Sequence, residues 1–146
     1  MTTARDIMHK GAECIGEDAS LQDAARKMRE LDVGSLPICG NDDRLHGIIT
    51  DRDIVMGCVA DGKDPSKVKA GEFGQDRLHM VSASDDADAV VRMMERHQIR
   101  RVPVIDNKRL VGMISEADLA QHLPDEQLAH FVENVYARNR GAKATM

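Results

Sequence analysis

A chain of 146 residues that is 42% hydrophobic but only 2% aromatic must build its core from Leu, Ile, Val, Met and Ala, and its length suits one domain or two small ones packed together. Twenty basic residues against 25 acidic leave a net charge of −5 with His neutral, a balance that argues against general binding to nucleic acid or anionic membranes. No apolar run approaches the ~20 residues of a membrane span, and the opening Met1-Thr2-Thr3-Ala4-Arg5-Asp6 has no apolar leader stretch, so the cytoplasm is the expected compartment.

The first expected element is a short strand at 13–16. A polar turn follows, in which Ser20 is suited to cap a helix. Leu21, Ala24, Ala25, Met28 and Leu31 then recur at helical spacing and predict an amphipathic helix. An apolar strand at 36–39 carries Pro37, and turn formers at 40–43 lead to a second strand at 45–50. Two strands so joined read as an antiparallel hairpin. A helix at 51–60 closes this part, and 61–69, with Gly62 and Pro65, reads as a linker. The same order then runs again. A strand at 79–82 leads to Ser84 as helix cap, then to a helix with Ala87, Val90, Val91, Met94 and His97 on one stripe. Strands at 102–105 and 110–115 and a helix at 116–123 complete it. After Pro124, residues 125–136 predict an extra helix with Leu128, Phe131, Val132 and Val135 on one face, and 138 onward reads as a frayed tail.

The second run is an internal repeat of the first. Leu36-Pro37-Ile38 returns as Val102-Pro103-Val104, and at the same shift Ala4 meets Ala70, Ile15 meets Val81 and Met28 meets Met94. Beyond the hairpin turn the shift is one residue shorter. Gly47-Ile48-Ile49-Thr50-Asp51-Arg52-Asp53-Ile54 then meets Gly112-Met113-Ile114-Ser115-Glu116-Ala117-Asp118-Leu119. The slip falls among turn formers, where a length change costs little. The expected organisation is repeat 1 at 1–60, a linker at 61–69, repeat 2 at 70–123, and a C-terminal helix and tail at 124–146. The fold class is α+β: two β-α-β-β-α repeats packed sheet to sheet about a pseudo-twofold axis.

Of the three cysteines, an odd count without CxxC spacing favours reduced thiols and argues against a zinc site. Cys14 and Cys39 lie on the strands flanking the first helix, and a right-handed crossover makes those strands parallel neighbours. Their Cβ atoms could then reach disulfide distance; the other reading is two small apolar side chains in contact, as Met80 and Ile105 would be in the second repeat. Met8, Met28, Met56, Met80, Met93, Met94 and Met113 read as core filler. The six histidines form no HxxxH or HxH pair, so no metal site is expected.

The doubled pattern Gly-apolar-apolar-Thr/Ser-x-x-Asp, at 47–53 and 112–118, together with the apolar-Pro-apolar strand at 36–38 and 102–104, resembles a tandem cystathionine-β-synthase (CBS) domain pair, or Bateman module. The resemblance covers residues 4–123, and a lone pair with a helical C-terminal addition is similar to the stand-alone, hypoxia-responsive type. It implies a non-catalytic sensor that binds an adenosine-type ligand (AMP, ADP or ATP) between the repeats, needs no other cofactor, forms a homodimer and signals to a separate protein partner. In pairs of this kind the Asp takes the ribose, the Ser/Thr reaches toward phosphate, and the base lies beside strand residues of the other repeat. Carried over, one site joins Ser115 and Asp118 to Ile15, Gly16, Val33, Gly34 and Leu36. The other joins Thr50 and Asp53 to Val81, Ser82, Ile99 and Val102. Arg101 stands where repeat 1 has Ser35, and its forked guanidinium suits phosphate, so the Ser115/Asp118 site is expected to be the stronger nucleotide binder.

Plainer readings stand beside these. Thr50 and Ser115 are also good helix caps, Asp53 and Asp118 good first-turn acids, and Arg100 and Arg101 an ordinary solvated pair. No catalytic motif is present: no GxSxG, no GxxxxGK[ST] and no GxGxxG after a strand. A ligand-free stress-response scaffold, acting through its dimer surface, is the alternative to a sensor.

Overall fold

A computed structural model describes residues 1–42, 44–73 and 78–144, with backbone alone for 138–144. In chain order the elements are α1 (Ala4–Ile7), β1 (His9–Lys10), β2 (Ile15–Gly16), α2 (Leu21–Leu31), β3 (Ser35–Cys39), β4 (Leu45–Thr50), α3 (Asp51–Ile54), β5 (Val81–Ser82), α4 (Ala87–His97), β6 (Arg101–Asp106), β7 (Arg109–Ser115), α5 (Glu116–His122) and α6 (Asp125–Ala144). A wide π-turn, Val55–Val59, extends α3, and a 3₁₀ turn, Ala70–Glu72, follows the linker.

The elements sort into two compact units. The unit that contains Asp53 holds residues 12–78 and 108–110, and its sheet runs β2-β3-β4. β2 and β3 are parallel, with Ile15 opposite Ile38, while β3 and β4 form the antiparallel hairpin, with Ser35 opposite Thr50. Helix α2 starts where Ser20 Oγ accepts the backbone N–H of Asp23 at 3.0 Å. It ends on a left-handed Asp32 (φ 55°), whose successor Val33 donates its N–H back to the Met28 carbonyl at 3.0 Å. That backbone pattern closes the last turn and re-aims the chain into β3. Leu21, Ala24 and Met28 face a core with Ile15, Leu36, Ile38, Ile49, Ile54 and Cys58. Ala25 and Leu31, at the edges of the expected stripe, are exposed.

The unit that contains Asp118 holds residues 1–11, 79–107 and 111–146, with sheet order β1-β7-β6-β5. Helix α4 repeats the ending of α2. Gln98 is left-handed (φ 55°) and Ile99 donates to the Met94 carbonyl at 3.0 Å. The helix begins at Ala87 with Asp86 as cap residue, not at Ser84 as the sequence suggests; Ser84 bonds instead to Ser82. Val90, Val91 and Met94 are buried with Val102, Val104, Ile114, Leu119 and Phe131, while His97 stands outside this core. Met80 and Met56 are about half exposed, at 46% and 54%, so they are not core filler.

Each unit takes its opening segment from the other sequence repeat. In the Asp118 unit, Ala4 and Arg5 donate backbone N–H groups to Asp85 (2.8 Å) and Ala83 (3.1 Å), and Ala87 donates to Thr2. In the Asp53 unit, Ala70 donates to Ala19 (2.8 Å), Gly71 to Glu17 and Leu21 to Val68. Ala4 and Ala70, the aligned pair, are both fully buried. Elements of two to four residues carry no readable periodicity, so long-range backbone pairing decides their placement.

Helix α6 is longer than expected. Its backbone continues to Ala144, past Gly141, where the sequence reading frays at 138. Gln98 Nε2 donates to the Asn134 carbonyl at 3.1 Å and ties α6 to the end of α4.

His79 and His97 stack with ring centroids 4.0 Å apart. Burial, and then the neighbouring His97, hold the His79 imidazole below its ordinary value. The unfolded chain regains the higher value and binds more protons, so this contribution to stability is present at neutral pH. It is lost as pH falls below about 6.5. The urea midpoint is expected to drop on acidification through that range. The drop should be smaller in His79→Phe, and an equal drop in both proteins would remove the assignment.

Candidate ligand site

The site residues are set by how each hairpin turns into its helix. In the Asp53 unit, Asp51 donates its N–H to the Gly34 carbonyl at 2.9 Å, which locks the start of α3 against the start of β3. The side chain of Asp51 lies so close that a Cβ on Gly34 would sit 3.1 Å from its Oδ2. Thr50 Oγ1 accepts the Asp53 N–H at 3.0 Å, and Asp53 Oδ2 accepts the Thr50 N–H at 2.9 Å. This reciprocal pair is a capping box.

The Asp118 unit repeats the arrangement. Glu116 donates to the Arg100 carbonyl at 3.1 Å, so α5 starts beside the start of β6, where Arg101 lies. Asp118 Oδ2 accepts the Ser115 N–H at 2.8 Å and the Ser115 hydroxyl at 3.0 Å. The Asp118 N–H approaches Ser115 Oγ at 3.4 Å. The plain capping role weighed from sequence is thus realised in both repeats.

Capping uses only one oxygen of each carboxylate. Among the described residues, Oδ1 of Asp53 and of Asp118 accepts no hydrogen bond, and no buried side-chain oxygen lacks a partner. Oδ1 therefore reaches solvent, on a side chain whose angle is fixed by the cap. A pre-oriented acceptor of this kind suits a hydroxyl donor.

Sequence reasoning missed two neighbours of Asp118. His9 Nδ1 lies 2.6 Å from Asp118 Oδ2, and His122 Nδ1 lies 2.9 Å from the Asp118 carbonyl oxygen. The first contact spans 109 positions and depends on β1 pairing antiparallel with β7, His9 opposite Met113 and Lys10 opposite Gly112. Gly112 permits that approach: a Cβ there would fall 2.7 Å from the His9 carbonyl oxygen. Helix α6 also reaches this end. The Tyr136 hydroxyl donates to Glu116 at 3.0 Å and accepts from Arg100 at 3.3 Å.

The other expected contact residues divide by burial. Ile15, Leu36, Val81 and Val102 put their side chains into the cores of their own units, so only their backbone is offered to a ligand. Gly16, Val33 and Ser82 are exposed, and Gly34, Ile99 and Arg101 are half-buried. The structure brings Thr50 to Asp53, and Ser115 to Asp118 beside the strand that carries Arg101. Each of these groups lies inside a single unit.

Cys14 and Cys39 form a disulfide, with Cα atoms 5.6 Å apart. It ties the segment leading into β2 to the end of β3, and it corrects the expectation of reduced thiols for two of the three cysteines. Cys58 is free, buried, and donates to the Lys63 carbonyl at 3.5 Å.

Comparison with known proteins agrees with this doubled arrangement. The CBS domain model matches residues 4–59 and again 70–125. Hypoxic response protein 1 of Mycobacterium tuberculosis is 52% identical over 135 residues, which covers 92% of this chain and 94% of that protein. Uncharacterized protein YlbB of Bacillus subtilis is 33% identical over 121 residues, 82% of this chain and 81% of its own length. A crystal structure of Hypoxic Response Protein I with two coordinated zinc ions matches with a TM-score of 0.75 and 54% identity, covering 84% of this chain and 100% of that one.

Proposed function

Because this chain belongs to the CBS-domain family and carries the domain twice, we propose that it is a non-catalytic regulatory module that binds an adenosine-type ligand at its Thr/Ser-x-x-Asp turns and passes the signal to a separate protein. The observation that carries this reading is the pair of carboxylates, Asp53 and Asp118, each fixed through Oδ2 while Oδ1, even in the buried Asp118, takes no hydrogen bond among the described residues. A ribose diol offers two hydroxyl donors to such an acceptor. Ser115 and Thr50 lie at the same turns, and Arg101 opens β6, the strand next to β7 that ends at Ser115, as a candidate cation for phosphate. The Ser115 hydroxyl meets Asp118 within the cap of α5, an arrangement that fits holding a ligand better than reacting with it. The similarity to Hypoxic response protein 1 supports a role in the response to low oxygen.

The zinc ions of the solved relative raise a metal as a second ligand class. Among the described residues, no three His, Cys, Asp or Glu side chains are gathered so as to hold a metal ion. His9 and His122 each spend Nδ1 on Asp118. A metal held by one copy would need donors beyond that set, and we keep the adenosine-type ligand as the reading the turns support.

One observation favours the scaffold reading instead. Val55, Met56 and Val59, on α3 and its π-turn, are 53%, 54% and 59% exposed. Apolar side chains so placed suit a contact with a second copy, and a homodimer is part of either reading. Thermal shift separates the two. With adenosine, AMP, ADP, ATP or S-adenosylmethionine at 100 times its dissociation constant, a sensor gains about 2.7 kcal/mol. The gain should vanish in the Asp53→Asn, Asp118→Asn double variant. No shift with any of the five ligands would leave the scaffold reading.

A further inference from the structure

We propose that His9 is a latch on the Asp118 carboxylate, so that an adenosine-type ligand enters this turn only by displacing the imidazole. The inference rests on the ligand reading above and adds a residue that sets affinity and makes the two turns unequal.

Asp118 Oδ2 receives three donors: the Ser115 N–H at 2.8 Å, the Ser115 hydroxyl at 3.0 Å and the His9 ring at 2.6 Å. A carboxylate oxygen has two lone-pair directions, so this oxygen is fully committed. A ribose diol grips a carboxylate best with one hydroxyl on each oxygen. Oδ1 is open to it, but Oδ2 must first lose a donor. The Ser115 N–H is fixed by the cap of α5, whereas the Ser115 hydroxyl caps as an acceptor and can turn its hydrogen to a ligand. The third belongs to a side chain 47% exposed, on a two-residue strand. His9 is therefore the donor that has to move aside, and its outward swing exposes the oxygen it covered.

Among the described residues, the other repeat shows no such cover: Asp53 Oδ2 receives only the Thr50 N–H. The residue aligned with His9 there is Gln75, which lies outside the described residues. Arg101 favours the Asp118 turn for a phosphorylated ligand, while His9 raises the threshold for entering it. The consequence is a site that fills at higher ligand concentration than its contacts alone would require.

The test uses AMP and the Asp53→Asn protein, in which only the Asp118 turn reports. Calorimetric titration is run with His9 intact, with His9→Ala and with His9→Gln. The latch predicts that His9→Ala binds AMP about tenfold tighter, as loss of one competing charge-assisted hydrogen bond implies. Adding Asp118→Asn should abolish that binding. A second readout leaves His9 in place: the ¹⁵N shifts of its ring should move from a carboxylate-bonded to a solvated imidazole as AMP is added. Equal or weaker AMP affinity in His9→Ala, or ring shifts that AMP leaves unchanged, would overturn the latch while the ligand reading stands. Failure of AMP to bind with or without His9, and to bind wild type, would overturn both.

Discussion

Phe131→Ala is expected to lower the free energy of unfolding by about 3–5 kcal/mol, the usual loss for a buried aromatic replaced by a methyl group. Phe131 is fully buried among Val90, Val91, Met94, Val102 and Leu119 and is the largest fully buried side chain among the described residues. It enters that core from α6, outside both CBS repeats. Close-packed interiors refill such a space only in part. Val132, the next residue, is 43% exposed. Val132→Ala should therefore stay within about 0.5 kcal/mol of wild type. Urea unfolding of the two variants checks both numbers. A Phe131→Ala loss no larger than that of Val132→Ala would mean that α6 is an ornament and not part of the Asp118 unit.

The second large effect is expected from the disulfide. Joining Cys14 to Cys39 closes a loop with a sequence separation of 25. Loop closure of that size restricts the unfolded chain by about 3 kcal/mol. The double variant Cys14→Ser, Cys39→Ser should lose about that much, and wild type in reductant should unfold at the same urea midpoint as the variant. Cys58 is buried and separate, so Cys58→Ser should keep its sensitivity to reductant. If reductant leaves the wild-type midpoint unmoved, the bond contributes nothing. The disulfide also sets a condition on compartment, because such bonds persist in oxidising surroundings. The cytoplasm expected from sequence and a formed disulfide pull in opposite directions. Alkylation of free thiols in freshly lysed cells, read by mass, decides between them.

The parts of the fold that could be read in advance were those with local signals. Period-3.6 stripes marked α2 and α4, and turn formers between apolar runs marked both hairpins. The hairpin strand β4 falls at the residues expected, Leu45–Thr50. Duplication multiplied the evidence, because each weak signal was seen twice. The Thr/Ser-x-x-Asp turns were legible for the same reason, although their spacing could not distinguish a cap from a ligand contact. The structure shows the cap and leaves the second carboxylate oxygen open.

What escaped sequence reasoning depends on distant pairing. The exchange of opening segments rests on bonds such as Ala4 to Asp85 and Ala70 to Ala19, which no local pattern encodes. His9 became a neighbour of Asp118 through the same exchange, and a lone histidine near the N-terminus gives no hint of it. The start of α4 at Ala87, with Asp86 in place of Ser84 at the cap position, is a contest among adjacent polar residues. The disulfide was left open because both readings need the same parallel neighbours, β2 and β3, and spacing alone cannot choose between sulfur contact and sulfur bond.

The central claim is that the fixed carboxylates at the two turns hold a nucleoside. Native mass spectrometry of the full chain with added AMP tests it most directly, since it reads bound mass and oligomer size in one spectrum. The account predicts AMP adducts on wild type and none on the Asp53→Ala, Asp118→Ala double variant, with the oligomer unchanged. A wild-type spectrum free of adducts up to millimolar AMP, or adducts that survive in the double variant, would contradict it.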